Sequence, residues 1–195
     1  MNNLIIYDFD DTLFPSYPYV KHLLNYDLIF KDIDDQIYLL LSYSLTLADD
    51  VIILSDGDTN WINSILDHLP KTKVLIDKHI KIVSTIIFYA NLYRANLPHY
   101  KYNYINNEID LKRYDMIINV GDGVNEEYAS YKLQYKYPIR HVKFLYQPSY
   151  EEWLDEMFII QDVLKDIIDK KINYYSFLQR PIDTFGILKC QYSIN

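Results

Sequence analysis

A short apolar run, Asn3-Leu4-Ile5-Ile6-Tyr7, stops abruptly in the acids of Asp8-Phe9-Asp10-Asp11-Thr12. An apolar run of this length, closed by turn residues, predicts a buried strand. Residues two apart share a face of a strand, so Asp8 and Asp10 are expected to leave its carboxyl end on the same side. Two carboxylates there repel each other, and burying them bare costs roughly several kcal/mol each. A divalent metal with oxygen ligands is the simplest counter-charge. The plainer alternative is a surface turn rich in Asp. An isolated Asp-x-Asp deserves that reading, but Asp-x-Asp-x-Thr directly behind an apolar strand is much rarer by chance.

The 195 residues suit one domain with a sizeable core, and half of them are hydrophobic. The single cysteine, Cys190, excludes an internal disulfide and a cysteine metal cluster, and fits a reducing compartment. The five histidines are scattered without metal-ligand spacing and are read as surface or packing residues. No apolar run approaches the ~20 residues of a membrane span, and the N-terminus enters a strand directly. A cytoplasmic protein without membrane partners is expected. The net charge of −8 disfavours general binding to nucleic acid or anionic membranes.

Behind the first strand, Pro15 and Pro18 end the sheet, and residues from Tyr17 to about Phe30 read as a compact excursion. Ile33, Ile37, Leu40, Leu41, Ser44, Leu47 and Ala48 recur at three- and four-residue spacing, which predicts one helix of about sixteen residues. Asp50 to Ser55 is a second apolar run ending in a small polar residue, so the order strand, helix, strand opens a parallel α/β sheet. A hydroxyl at a strand end before a helix start can hold a phosphate with Ser55 Oγ and nearby backbone N–H groups. A serine there is as often a cap. Lys71 to Lys78 predicts a helix, His79 to Ser84 a third strand, and Ile86 to Tyr93 another helix before a break at Leu97-Pro98. Tyr114 to Val120 is a clear strand ending in Gly121-Asp122-Gly123-Val124-Asn125-Glu126, with a helix behind it. The two glycines are expected to permit the tight turn and positive φ that aim the Asp122 carboxylate back over the strand end. Ile139 to Leu145 is the fifth strand, and Ser149 with Glu152 forms a capping box before a helix of about twenty residues. Lys132, Lys136, Arg140, His141 and Lys143 make a locally basic stretch, read as a solvated face rather than a polyanion site. Residues after Asn173 lack periodicity and are expected to form a tail, about 173–195, on a single domain spanning 1–195.

The acids behind the first strand resemble the first motif of the haloacid dehalogenase superfamily of phosphatases and phosphotransferases. Ser55 occupies the place of the second motif, and Gly121-Asp122-Gly123-Val124-Asn125-Glu126 resembles the fourth. The family places a lysine before the last catalytic strand. Lys101 is the choice and Lys112 the competitor. The strings around DFDDTLFPS, ILSDGDTNW, GDGVNE and VKFLYQPSYEEW are also similar to a subgroup with a DWDDTLLPS opening, over roughly residues 3 to 165. That likeness favours Lys101 through the spacing Pro98-His99-Tyr100-Lys101.

The resemblance implies a Rossmann-like α/β three-layer sandwich with a central parallel sheet of about five strands and minimal or no cap. It implies Asp8 as nucleophile, Asp10 as general acid and base, and Mg²⁺ held by Asp8, Asp10 through its backbone carbonyl, and Asp122. Ser55, Asp56 and Lys101 fall at the phosphate-binding positions. An acid aimed at phosphate is unfavourable, so Asp56 is expected to point away or touch the metal's water. Thr12, Gly121, Gly123 and Glu126 stand behind these groups, with Glu126 orienting metal-bound water. The implied activity is Mg²⁺-dependent hydrolysis of a phosphorylated substrate through an aspartyl-phosphate on Asp8. The intervals before Ser55 and before Lys101 are too short for a globular cap, which favours a large substrate at an open site. A non-catalytic binding protein of the same fold and a nucleic-acid-end phosphatase are the alternatives.

Overall fold

The computed structural model describes residues 2–23, 25–91, 99–170, 174–178 and 189–193. In chain order the elements begin with β1 (Asn3–Tyr7), α1 (Ser16–Val20), α2 (Tyr26–Leu47), β2 (Asp50–Ser55), α3 (Thr59–Leu66) and α4 (Pro70–His79). They continue with β3 (Lys81–Ser84), α5 (Thr85–Asn91), α6 (Tyr100–Glu108), β4 (Met116–Gly121), α7 (Val124–Leu133) and β5 (Ile139–Lys143). The last three are α8 (Tyr150–Lys170), β6 (Tyr174–Leu178) and β7 (Lys189–Ser193).

The strands form one sheet in the order β3-β2-β1-β4-β5-β6-β7. Every neighbouring pair from β3 to β6 is parallel, and β7 closes the edge antiparallel to β6. This is the Rossmann-like α/β sandwich expected, and its five predicted strands are all present. The alternation of side chains along β1 separates the layers. Ile5 and Tyr7 join one core cluster with Ile37 and Leu40 of α2, Ile62 of α3 and Trp153 of α8. Leu4 and Ile6 join the other with Tyr89 of α5, Tyr104 of α6 and Ala129 of α7. Both faces of β1 are covered, so its run is apolar throughout rather than alternating.

Three local expectations need correction. The second helix starts at Tyr26, not near Ile33, and runs 22 residues. Tyr26 and Phe30 extend the Ile33/Ile37 stripe by one turn and pack their rings on Phe14 and Tyr19. Aromatic residues read as an excursion are the start of the helix's buried face. The expected tail contributes β6 and β7. An aromatic-rich segment at the end of the α8 crossover adds to the open edge of β5. Residues 171–173, 179–188 and 194–195 of that tail lie outside the described residues, as do Leu92, Tyr93 and the break at Leu97-Pro98. Gly121 and Gly123, expected to supply positive φ, both have negative or extended φ.

Several helix starts are capped by identifiable groups. The Ser149 capping box is complete: Glu152 N–H donates to Ser149 Oγ at 3.2 Å, and Ser149 N–H donates to Glu152 Oε2 at 2.9 Å. The start of α4 is capped from another helix. The buried Asp34 carboxylate of α2 accepts from Lys71 N–H at 3.0 Å and Thr72 N–H at 2.8 Å. Asp34→Ala would strand both donors, Thr72 being buried, and is expected to destabilise the protein by about 2 kcal/mol in urea titration. A change below a few tenths of a kcal/mol would show that water replaces the cap.

Candidate active site

In an open parallel sheet, ligands bind outside the carboxyl ends of strands where the strand order reverses. Here that point lies between β1 and β4, which are neighbours in space and run to opposite edges of the sheet in sequence. β1 delivers Asp8 to that crevice and β4 delivers Asp122. Asp8 is anchored by its N–H to Val120 O at 2.9 Å.

Lys101, the second residue of α6, reaches the same point. Its Nζ donates to Asp8 Oδ1 at 2.6 Å and also to Glu126 Oε1. Lys112 is exposed in the 3₁₀ turn Leu111–Arg113 ahead of β4, away from these groups. Ligand oxygens of Asp8, Asp122 and Glu126 all lie within 4.8 Å of one another, and all three residues are buried. With all three carboxylates ionised, as a bound cation would require, one ammonium leaves two negative charges, the complement of a divalent cation. One buried Glu126 oxygen, Oε2, has no hydrogen-bond partner. An all-oxygen set with a stranded carboxylate oxygen fits a hard divalent metal. The Asp10 carboxylate is not in this cluster, and Glu126, expected behind the metal, is.

Glycine matters here because Glu126 folds back over its own loop. A Cβ on Gly121 would stand 2.3 Å from Glu126 Cγ, and one on Gly123 would stand 2.4 Å from Glu126 Oε2. Neither glycine has positive φ. Space for Glu126, not backbone handedness, is what the two glycines provide. Thr12 ties the first loop to the last: its Oγ1 accepts from Asp122 N–H at 3.2 Å, and its carbonyl accepts from Trp153 Nε1–H at 3.1 Å. Lys143 Nζ donates to the Asp122 carbonyl, a contact that nothing in the sequence singled out.

Asp10 is held apart from the cluster. Its Oδ1 accepts from Ser16 Oγ–H at 2.5 Å and from Trp61 Nε1–H at 2.8 Å. Both donors lie inside the DFDDTLFPS and ILSDGDTNW strings, but neither carries a role that the sequence reading assigned. Asp11, next along, is one of four non-glycine residues with positive φ among the described residues, and its carboxylate accepts from Tyr17 N–H at 2.6 Å. Ser55 Oγ accepts from Gly57 N–H at 2.8 Å, which leaves its own hydrogen able to donate. Two backbone N–H groups near it are already spent, Gly57 on Ser55 and Asn60 on Asp58. Asp56 accepts from Thr85 Oγ1–H and from Asn125 Nδ2–H at 2.9 Å, joining the loops behind β2, β3 and β4.

Burial and charge decide the protonation of the cluster. Burial pushes the Asp8 carboxyl well above the usual carboxylate range, against the pull of the Lys101 ammonium. Burial also raises Asp122, helped by the Glu126 charge, to about 7. Burial opposes Glu126 ionisation too, but Lys101 outweighs it and holds that carboxyl below its ordinary value. Lys101 stays charged because Asp8 and Glu126 more than offset the cost of its burial. A metal needs the carboxylate and a proton competes for it, so Mg²⁺ affinity is expected to fall as pH drops below about 7. Isothermal titration in buffers of different ionisation enthalpy should show about one to two protons released per metal bound near pH 6, from Asp122 and Asp8. Affinity flat from pH 5 to 8 would contradict this.

No protein-family model, curated protein or solved structure matches this chain. The basic stretch does not form one surface. His141 is buried, with Nδ1 3.0 Å from Asn119 O, and Lys143 is spent on Asp122. Lys132 and Lys136 are exposed and lie over tyrosine rings. Among the described residues, no helix is long and apolar enough to cross a membrane.

Proposed function

We propose that this chain is a Mg²⁺-dependent phosphomonoester hydrolase of the haloacid dehalogenase type. The observation that carries the reading is the buried contact of Lys101 Nζ with Asp8 Oδ1, inside a three-carboxylate cluster at the reversal point of the sheet. A carboxylate nucleophile attacking a dianionic phosphate needs cations beside it, and this arrangement supplies one and leaves a place for another.

An Asp8 carboxylate oxygen attacks phosphorus while the bond to the leaving oxygen breaks. Asp10 gives that oxygen a proton, and the phosphoryl group is left on Asp8. Asp10 then takes a proton from a water whose oxygen attacks phosphorus, which frees Asp8 and inorganic phosphate. Ser55 Oγ–H and the Lys101 ammonium serve the equatorial oxygens of a loose transition state. Asp10 is suited to proton transfer because its carboxylate bonds Ser16 and Trp61 rather than joining the cluster. Asp8, Asp122 and Glu126 would hold Mg²⁺, which would supply positive charge against the phosphoryl oxygens.

The test is hydrolysis of a generic aryl phosphate with Mg²⁺ and with chelator. Turnover that requires the metal is expected. No turnover, together with no binding of beryllofluoride at Asp8, would overturn the proposal.

A further inference from the structure

A cavity of about 540 Å³ opens beside Asp10, and Tyr17, Val20, Lys21, Trp61 and Gln147 line it. Two further cavities among the described residues, around Asp50 and Arg113, lie at the opposite end of the strands, where those two charges already pair with each other.

Asp10 Oδ1 receives two donors, the Ser16 hydroxyl and the Trp61 indole N–H. An oxygen that accepts twice is poorly placed to carry an acidic hydrogen as well. The proton that Asp10 hands over therefore sits on Oδ2. Gly57 keeps that oxygen accessible, since a Cβ there would stand 2.9 Å from Oδ2 and 3.0 Å from Ser55 Oγ.

Trp61 serves two purposes at once. Its N–H fixes Asp10, and its ring is part of the cavity wall. Phe14 and Tyr19 brace the ring from the core, with centroids 6.4 and 5.8 Å away. Tyr17 and the 59% exposed Val20 add further apolar wall. The Ser16 hydroxyl and the indole N–H are both used by Asp10, so beside the ring itself no polar group is left to donate, and the remaining side-chain donors of the lining are the exposed Lys21 and Gln147 with the Tyr17 hydroxyl. A polyol laid against the Trp61 ring would lose water there without recovering its hydrogen bonds. A flat apolar body loses nothing of that kind and gains ring contact.

On the phosphatase reading above, we infer that this cavity receives the leaving group and selects phosphate esters of aromatic alcohols. Tyrosine phosphate is the biological form of that chemistry. Trp61 is a specificity-determining and positioning residue. It stacks on the leaving group and orients Asp10 so that Oδ2 faces the departing oxygen.

Two measurements separate this from the phosphatase reading. The first is phosphate release from O-phosphotyrosine and from glycerol 3-phosphate with Mg²⁺. The expected kcat/KM ratio favours the aryl ester by about tenfold or more. The second is tryptophan fluorescence of the Asp8→Asn variant with Mg²⁺. Trp153 is fully buried, so a ligand in the cavity reports through Trp61. O-phosphotyrosine is expected to quench the emission, and glycerol 3-phosphate to leave it unchanged. In Trp61→Phe the ring stays and the donor goes: kcat should fall about tenfold with KM nearly constant. In Trp61→Leu the KM for O-phosphotyrosine should rise as well, about three- to tenfold, with little change for glycerol 3-phosphate. Equal turnover of both esters without quenching overturns the inference and spares the phosphatase reading. Quenching without turnover of either ester supports the cavity as an aryl phosphate site and removes the phosphatase reading. Neither quenching nor turnover removes both.

Discussion

Asp8→Asn is expected to abolish metal-dependent turnover, with a loss of about 10⁴-fold or more in kcat. The change keeps the size of the side chain and removes the nucleophilic oxygen's charge. It is not expected to unfold the protein. Burial already pushes the Asp8 carboxyl well above its ordinary range, so a neutral amide relieves a cost in the metal-free chain. Lys101 retains Glu126 as its ionised partner. The measurement is kcat against urea stability for the same preparation. Lost turnover with equal or raised metal-free stability assigns the effect to chemistry. Turnover within tenfold of wild type would remove Asp8 as nucleophile.

Lys101→Met should have the largest effect on stability. Lys101 is buried, and it is the ammonium placed directly between Asp8 and Glu126. Removing one partner of a buried ion pair costs about 3–5 kcal/mol, because the remaining charge has no compensation. The cost depends on pH with a definite sign. Without the ammonium, the Asp8 carboxyl, already above its unfolded value, is pushed higher, and Glu126 loses what holds it below its unfolded value and rises above it. Protonated carboxyls then make the folded state tolerable at low pH, and that stability is lost as pH rises through the raised pKa values. The deficit relative to wild type should therefore be small near pH 4 and full above about pH 8. Mg²⁺ should recover part of it, since a divalent cation supplies the missing positive charge. Urea titrations at pH 5 and 8, with and without Mg²⁺, check this. A deficit equal at both pH values would mean that lost packing of the lysine stem, not charge, is responsible.

Much of the architecture could be read along the chain. β1 and β4 are apolar because both faces of each are covered, and each ends in an acid where its run stops. Those local patterns place Asp8 and Asp122 at strand ends without knowledge of which strands pair. The Ser149 capping box was legible because its two partners are three residues apart. The start of α2 was not, since Tyr26 and Phe30 show their place only against Phe14 and Tyr19 from another part of the chain. β6 and β7 were hidden for the same reason: a strand on a sheet edge is stabilised by its neighbour, not by its own periodicity.

For the candidate site, the sequence by itself determined which acids stand at the ends of which strands, because backbone period and turn chemistry act over a few residues. Only the tertiary structure decided their partners. It brought Lys101 to Asp8 across 93 positions and Trp61 to Asp10 across 51. It also folded Glu126 over two glycines into the acid cluster. Contacts of that kind depend on strand order and helix packing; the family resemblance pointed to Lys101, but backbone period and turn chemistry did not.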